Sequence, residues 1–201
     1  MKQINTYIIL VLGTLVISSC GRSLAPKDYV TYVQNPDNGL FVSSNVNGVK
    51  YTLQYQPTDY LVMLEEKSFS IPSEIFKAQY DRFKGMEHYV FHIDTKDMDA
   101  LISKLKDTSK IKNSLTEYFD FRIQKDIKLL EGGDTIPCGI AQCESSMGML
   151  PYYSFVIGFP NREYTGDREF LFSNKKIGTG EVKLVVKGQS IQNLPKLKMN
   201  G

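Results

Sequence analysis

The segment Glu87-His88-Tyr89-Val90-Phe91-His92-Ile93-Asp94 holds both histidines of the chain and a carboxylate at each end, residue types that bind divalent metal ions. At helical spacing His88 and His92 would stand one turn apart on one face, and an i, i+4 pair suits a metal well. On a strand the same residues alternate, with His88, His92 and Asp94 on one face and Tyr89, Phe91 and Ile93 on the other. That alternation favours the strand. The two imidazoles are then roughly 13 Å apart at about 3.3 Å per residue, too far for one zinc with nitrogen ligands near 2 Å. His88 and His92 are thus a candidate metal pair whose ordinary reading is a solvated strand face.

A second cluster runs from Cys138 to Met149, CGIAQCESSMGM, where two thiols and two thioethers form the soft donor set that Cu(I) prefers. Methionine is equally a core filler. Nucleophile motifs fail on inspection. Around Ser146 the esterase elbow needs glycine two residues earlier, and Glu144 stands there. GTGEVK, Gly178 to Lys183, begins like a phosphate-cradling loop but lacks the last glycine and the following helix, so it reads as a hairpin turn. Asp94, Asp134 and Glu144 are carboxylates from which a glycosidase pair could be drawn, which depends on a separation in space. Lys187, Lys196 and Lys198 are candidates for contact with anionic lipid or polysaccharide, although scattered lysines ordinarily solvate a surface. Tyr51, Tyr55, Tyr60, Tyr152 and Tyr153 crowd expected strands, where core packing is the first reading and a recognition surface the second. No cofactor motif emerges.

The elements that must position these residues follow from hydrophobic period. Tyr29 to Gln34 (YVTYVQ) opens a β-rich part, followed by turn signals at Asn35 to Gly39 and Asn45 to Gly48. In VKYTLQY, Val49, Tyr51, Leu53 and Tyr55 share one face of a half-buried strand. DYLVMLEE, Asp59 to Glu66, fits either a strand or a helix, with strand the first reading. Helices follow: one from Pro72 and Ser73 to a stop at Gly85, one over Asp97 to Lys106, and a shorter one over Lys110 to Phe119. Alternation from Phe119 to Leu129 predicts a long strand ending at the turn EGGD. Tyr152 to Pro160 is expected as a strand with Tyr153, Phe155, Ile157 and Phe159 on one face, and EFLF with EVKLVVKG as a C-terminal hairpin. The expectation is an α+β domain with a largely antiparallel sheet and two or three helices in the middle of the chain.

The chain's address is the sharpest reading. Lys2 precedes an apolar run from Tyr7 to Ile17, eleven residues where a membrane-spanning helix needs about 20. The run ends in Ile17-Ser18-Ser19-Cys20, a tetrad that resembles the lipobox of bacterial lipoproteins. The resemblance implies cleavage before Cys20, diacylglycerol on its thiol and acylation of the new amino terminus. It also implies the outer membrane, since Gly21 rather than aspartate follows the cysteine. The resulting organisation is a signal peptide over 1–19, an acylated tether over 20–28 and one domain over 29–201. In an exported chain the remaining pair, Cys138 and Cys143, is a disulfide candidate. A bond needs a turn within GIAQ, because residues five apart on one strand face opposite sides, and two buried free thiols are the alternative.

With 24 basic against 22 acidic side chains the chain lacks the strongly positive balance of a nucleic-acid binder. No set of residues makes a convincing catalytic site. The sequence therefore predicts a membrane-anchored envelope lipoprotein with a non-enzymatic binding or assembly role, its partner a protein or an envelope polysaccharide. The alternatives are an envelope hydrolase using carboxylates or a metal, and a periplasmic metal-handling module.

Overall fold

Alternating burial organises most of the chain. The computed structural model describes residues 22–94, 96, 115, 117–144, 152–173 and 180–199. In chain order the elements are β1 (Ser23–Leu24), α1 (Pro26–Gln34), β2 (Phe41–Val46), β3 (Val49–Gln56), α2 (Thr58–Glu66), α3 (Ser73–Phe83) and β4 (Met86–Asp94). They continue with β5 (Ile127–Glu131), β6 (Asp134–Pro137), β7 (Ile140–Glu144), β8 (Tyr152–Pro160), β9 (Arg168–Ser173), β10 (Glu181–Val186), α4 (Gly188–Gln192) and β11 (Lys196–Leu197). Residues 117–121 are helical, and Ile123–Asp126 forms a 3-10 turn.

A five-stranded sheet runs in the order β2-β3-β4-β8-β7, and a four-stranded sheet in the order β10-β9-β5-β6. Every pairing within these two sheets is antiparallel. The fold is α+β with mostly antiparallel sheets. Their apolar faces share one core, in which Phe91 of β4 lies 4.9 Å from Phe170 and 5.4 Å from Phe172 of β9, ring centre to ring centre. Such tilted aromatic pairs add about 0.5–1.5 kcal/mol each beyond area burial. Helices α1 to α3 gather a second core around Tyr29, Val33, Tyr60 and Met63, and Tyr55 touches both cores. Among the described residues no helix is long and apolar enough to cross a membrane.

The faces expected for β3, β4 and β8 are the faces observed, and α3 starts and stops where Ser73 and Gly85 indicate. The turn after β2 uses Asn47 and Gly48 with φ of 52° and 83°, the left-handed pair that suits the twist of a tight hairpin. Four expectations are corrected. Tyr29 to Gln34 is helical: Pro26 sits in the first turn with its φ already set, and Tyr29 and Val33 bury one i, i+4 stripe. Asp59 to Glu66 is helix α2, because packing of Tyr60 and Met63 against the neighbouring helices overrides β propensity. The strand from Phe119 to Leu129 begins only at Ile127. A continuous strand would put Phe119 and Phe121 on one side, whereas Phe119 is 1% and Phe121 79% exposed.

The fourth correction concerns the 20–28 tether. β1 pairs in parallel with β11, Ser23 opposite Lys196 and Leu24 opposite Leu197, and the Lys196 N–H donates to the Arg22 carbonyl at 2.8 Å. Pro26 is buried. The folded body thus already includes residue 22. The helix expected over Asp97 to Lys106, the first part of Lys110 to Phe119, Ser146, the methionines at 147 and 149, and Cys20 with the signal segment lie outside the described residues.

Candidate functional site

The densest charged chemistry lies inside the sandwich, at the end where it meets the helices. Glu87 shares the inward face of β4 with Tyr89, Phe91 and Ile93, and Arg168 shares the inward face of β9 with Phe170 and Phe172. Their side chains are 3% and 4% exposed. The guanidinium grips the carboxylate with two N–H donors, Nη2 to Oε1 at 2.7 Å and Nε to Oε2 at 3.3 Å. It also donates to the carbonyls of Gly166, at 2.8 Å, and Tyr164, and its charge lies over the Tyr164 ring. The Tyr89 hydroxyl donates to Glu87 Oε2 at 2.8 Å. Burial, then the Glu87 charge, hold the Tyr89 phenol far above its ordinary range. Both charges are therefore paired and hydrogen-bonded, the condition for placing them in a core.

Glu131 stands directly across from Arg168 in the β5–β9 ladder, 4% exposed, and neither carboxylate oxygen has a hydrogen-bond partner among the described residues. Burial and then the Glu87 charge raise its affinity for a proton, with Arg168 and Arg162 acting the other way. This cluster ties the two sheets together; it is a clamp closed on itself. Period two could have found it, since Glu87, Arg168 and Glu131 each fall on the parity of the buried aromatic or aliphatic residues of their strands.

The second cluster lies on the face of the five-stranded sheet opposite the shared core, where Thr52, His92 and Tyr152 are half-buried, Ser154 is buried and Glu144 is exposed. Cross-strand register lines up Thr52, His92, Ser154 and Glu144 on β3, β4, β8 and β7. Ser154 Oγ donates to Glu144 Oε2 at 2.5 Å, and the His92 ring stacks on Tyr152 at 4.1 Å. Burial lowers the His92 pKa while Glu144 raises it, the net shift being downward. The serine proton points to a carboxylate and not to the imidazole, the reverse of a nucleophilic triad in which the imidazole receives it. The row combines the exposed Glu144 and the half-buried stacked pair of His92 and Tyr152 with a buried Ser154 hydroxyl that Glu144 already engages, and it holds no activated nucleophile.

The sequence candidates scatter around these two features. His88 lies near the Phe83 carbonyl, with Nε2 at 3.3 Å, and burial lowers its pKa. His88 and His92 are four residues apart on one straight strand face, and among the described residues no group of three His, Cys, Asp or Glu could hold a metal ion. Asp134 pairs with Arg162 at 2.9 Å, Glu144 holds Ser154, and Asp94 stands on β4 with β8 between it and β7, so the three candidate carboxylates do not converge. Lys183 of the GTGEVK segment pairs with Glu169 within the β9–β10 ladder. Lys187 pairs with Asp167 at 2.8 Å, whereas Lys196 is the first residue of β11, opposite Ser23, and Lys198 follows that strand. Tyr51 and Tyr60 are core residues, and Tyr55, Tyr152 and Tyr153 are half-buried.

The two thiols are free, which corrects the candidate Cys138–Cys143 disulfide. Ile140–Glu144 is extended, so GIAQ does not make the turn that a bond requires. Cys138 Sγ donates to the Ile140 carbonyl at 3.0 Å and lines a cleft of about 360 Å³ with Phe121, Lys125 and Lys128. Burial pushes the Cys138 thiol up to about 11, and it raises Cys143 as well, so both stay protonated at neutral pH and neither is an activated nucleophile. No known protein family, curated protein or solved structure matches this chain.

Proposed function

We propose that the chain is a bacterial cell-envelope lipoprotein, anchored through acylated Cys20 at the outer membrane, whose folded body binds a protein or polysaccharide partner and catalyses no reaction. The observation that carries the reading is the tetrad Ile17-Ser18-Ser19-Cys20 at the end of an apolar run too short to span a bilayer. Two or more acyl chains hold a protein stably at a bilayer surface. The anchor confines the body near envelope targets, and this raises their effective concentration without any new contact.

The placement of charge supports the binding role. The buried Glu87 serves a clamp between sheets, while the outer face of the five-stranded sheet carries the half-buried Tyr152, His92 and Thr52 and the exposed Glu144 without a convergent acid–base pair. Mass spectrometry of the mature amino-terminal peptide tests the anchor: the expected product starts at Cys20 and carries diacylglycerol and an amide-linked acyl chain. Cys20→Ala is expected to move the protein out of the membrane fraction, and an unmodified thiol on wild-type protein refutes the reading. For the binding role, a partner captured from envelope extracts should be lost with the His92→Ala, Tyr152→Ala double variant. Turnover of an envelope polymer by the purified protein would overturn the non-enzymatic assignment.

A further inference from the structure

We infer that the margin formed by β1, β11 and the start of α1 is a bilayer-docking surface fitted to anionic lipid headgroups, an inference that rests on the Cys20 anchor proposed above. Arg22 already belongs to the fold through its carbonyl, which accepts from the Lys196 N–H. Only Gly21 stands between Arg22 and Cys20. A fully extended chain spans at most about 3.6 Å per residue, so the anchored residue lies within roughly 7 Å of the Arg22 backbone. A headgroup layer is about 5–8 Å deep on each side of the hydrocarbon. A body on so short a leash cannot stand off from the membrane, and the margin nearest the leash must lie against the headgroups.

That margin has the matching chemistry. Arg22, Lys27, Lys196 and Lys198 are all exposed, and none of them makes an ion pair among the described residues. Asp28 is the acidic residue that lines a cleft with Arg22, and it leaves the balance positive. Phe69 is 53% exposed and borders a small hollow with Pro26, Leu197 and Met199, so an apolar ring adjoins the strand that carries Lys196 and leads to Lys198. Basic groups beside an exposed aromatic ring form the pattern of a surface that meets anionic lipid and inserts shallowly. The short leash selects a bilayer over a soluble partner as the occupant.

The chain contains no tryptophan, so a single introduced indole reports its own surroundings. The lipidated full-length protein carrying Phe69→Trp is reconstituted in vesicles of phosphatidylglycerol and phosphatidylethanolamine with brominated acyl chains. Phe121→Trp, beside Pro137 and Cys138 on the sandwich, serves as the reference variant. The expected result is several-fold stronger quenching of the indole in the Phe69→Trp protein than in the reference, and Met199→Trp should repeat it. Lys196→Glu with Lys198→Glu should lower the docked population roughly tenfold on anionic vesicles and leave it unchanged on phosphatidylcholine. Equal quenching in the Phe69→Trp and Phe121→Trp proteins, when both float with the vesicles and carry the lipid mass, would overturn the docking surface and leave the anchor standing. Shielding of the Phe69→Trp indole that depends on protein density and not on lipid composition would assign the margin to a second copy of the chain and overturn the proposal. Absence of lipid on Cys20 would remove the anchor and this inference together.

Discussion

Replacing Arg168 with methionine should be among the most damaging substitutions of polar residues in the protein. The guanidinium makes four hydrogen bonds: two to Glu87 and one each to the Gly166 and Tyr164 carbonyls. Methionine fills much of the volume and makes none of them. Glu87, its side chain 3% exposed, keeps only the Tyr89 hydroxyl, and two carbonyls lose their donor. Breaking one side of a buried ion pair costs about 3–5 kcal/mol. That is a large part of the roughly 5–15 kcal/mol holding a domain together. With a urea slope of about 2 kcal/mol per molar, the unfolding midpoint falls by roughly 2 M. Glu87→Leu alone should lose a similar amount, since it orphans the guanidinium. The two together should recover most of the loss, because replacement of a whole buried pair by apolar side chains is near neutral. Equilibrium urea unfolding of wild type, both single variants and the double variant gives the coupling directly. A loss under about 1 kcal/mol for Arg168→Met, the scale of an exposed pair, would refute the clamp. Additivity in the double variant would refute it equally.

Three further outcomes are expected. Glu131→Gln should match wild type near pH 3, where the carboxyl is neutral in both folded and unfolded chains. It should be more stable near pH 7–8, because the folded state resists ionising Glu131 while the unfolded state ionises it from its ordinary value of 4.5 upward; melting temperature against pH reads the divergence. Cys138 and Cys143 should react slowly with iodoacetamide at neutral pH in the native protein and rapidly in denaturant, with the same intact mass before and after reduction. Gly188→Ala should destabilise by roughly 1–3 kcal/mol, because an added Cβ would lie 2.4 Å from the Thr165 carbonyl oxygen and 2.5 Å from Gly166 backbone atoms, which cannot swing aside. Gly48→Ala should lose only about 1 kcal/mol, since it meets nothing within 4 Å and suffers strain at φ +83° alone.

Elements whose two faces see different environments were legible. β4 alternates buried and half-buried over its whole length, and β3 and β8 keep their aromatic faces inward, so period two identifies all three. The helical margin is not legible in the same way. YVTYVQ and DYLVMLEE carry β-branched and aromatic residues that satisfy either period over so few positions. Pro26, and the helix-to-helix packing of Tyr29, Tyr60 and Met63, decide the outcome through contacts distant in sequence. The candidate chemistry divides along the same line. His88 and His92 can be placed on their strand face, but stacking of His92 on Tyr152 and alignment of Ser154 with Glu144 need the order β4-β8-β7, which no local pattern encodes. The clamp is hidden for a different reason. Beside His88, Glu87 reads as a metal-site neighbour, whereas its parity with Phe91 puts it in the core, where a carboxylate must find a cation or keep its proton.

The buried clamp and the exposed margin bear on each other through the chain ends. Arg168 is the first residue of β9, and the loop just before it supplies the Tyr164 and Gly166 carbonyls to the guanidinium. Asp167 of that loop accepts from the Gly188 N–H at 3.0 Å and from Lys187 at 2.8 Å, so the start of α4 is held to the clamp. From α4 the chain reaches β11 in a few residues, and β11 fixes Arg22. A continuous path of short hydrogen-bonded steps therefore joins the core ion pair to Arg22. A pull on the chain at Arg22 would be carried through β1 and β11 toward the sandwich. Fastened at Cys20 as proposed, the domain would take a defined orientation at its membrane, with the β1–β11 margin toward the lipid and the surfaces remote from that margin left for the proposed partner.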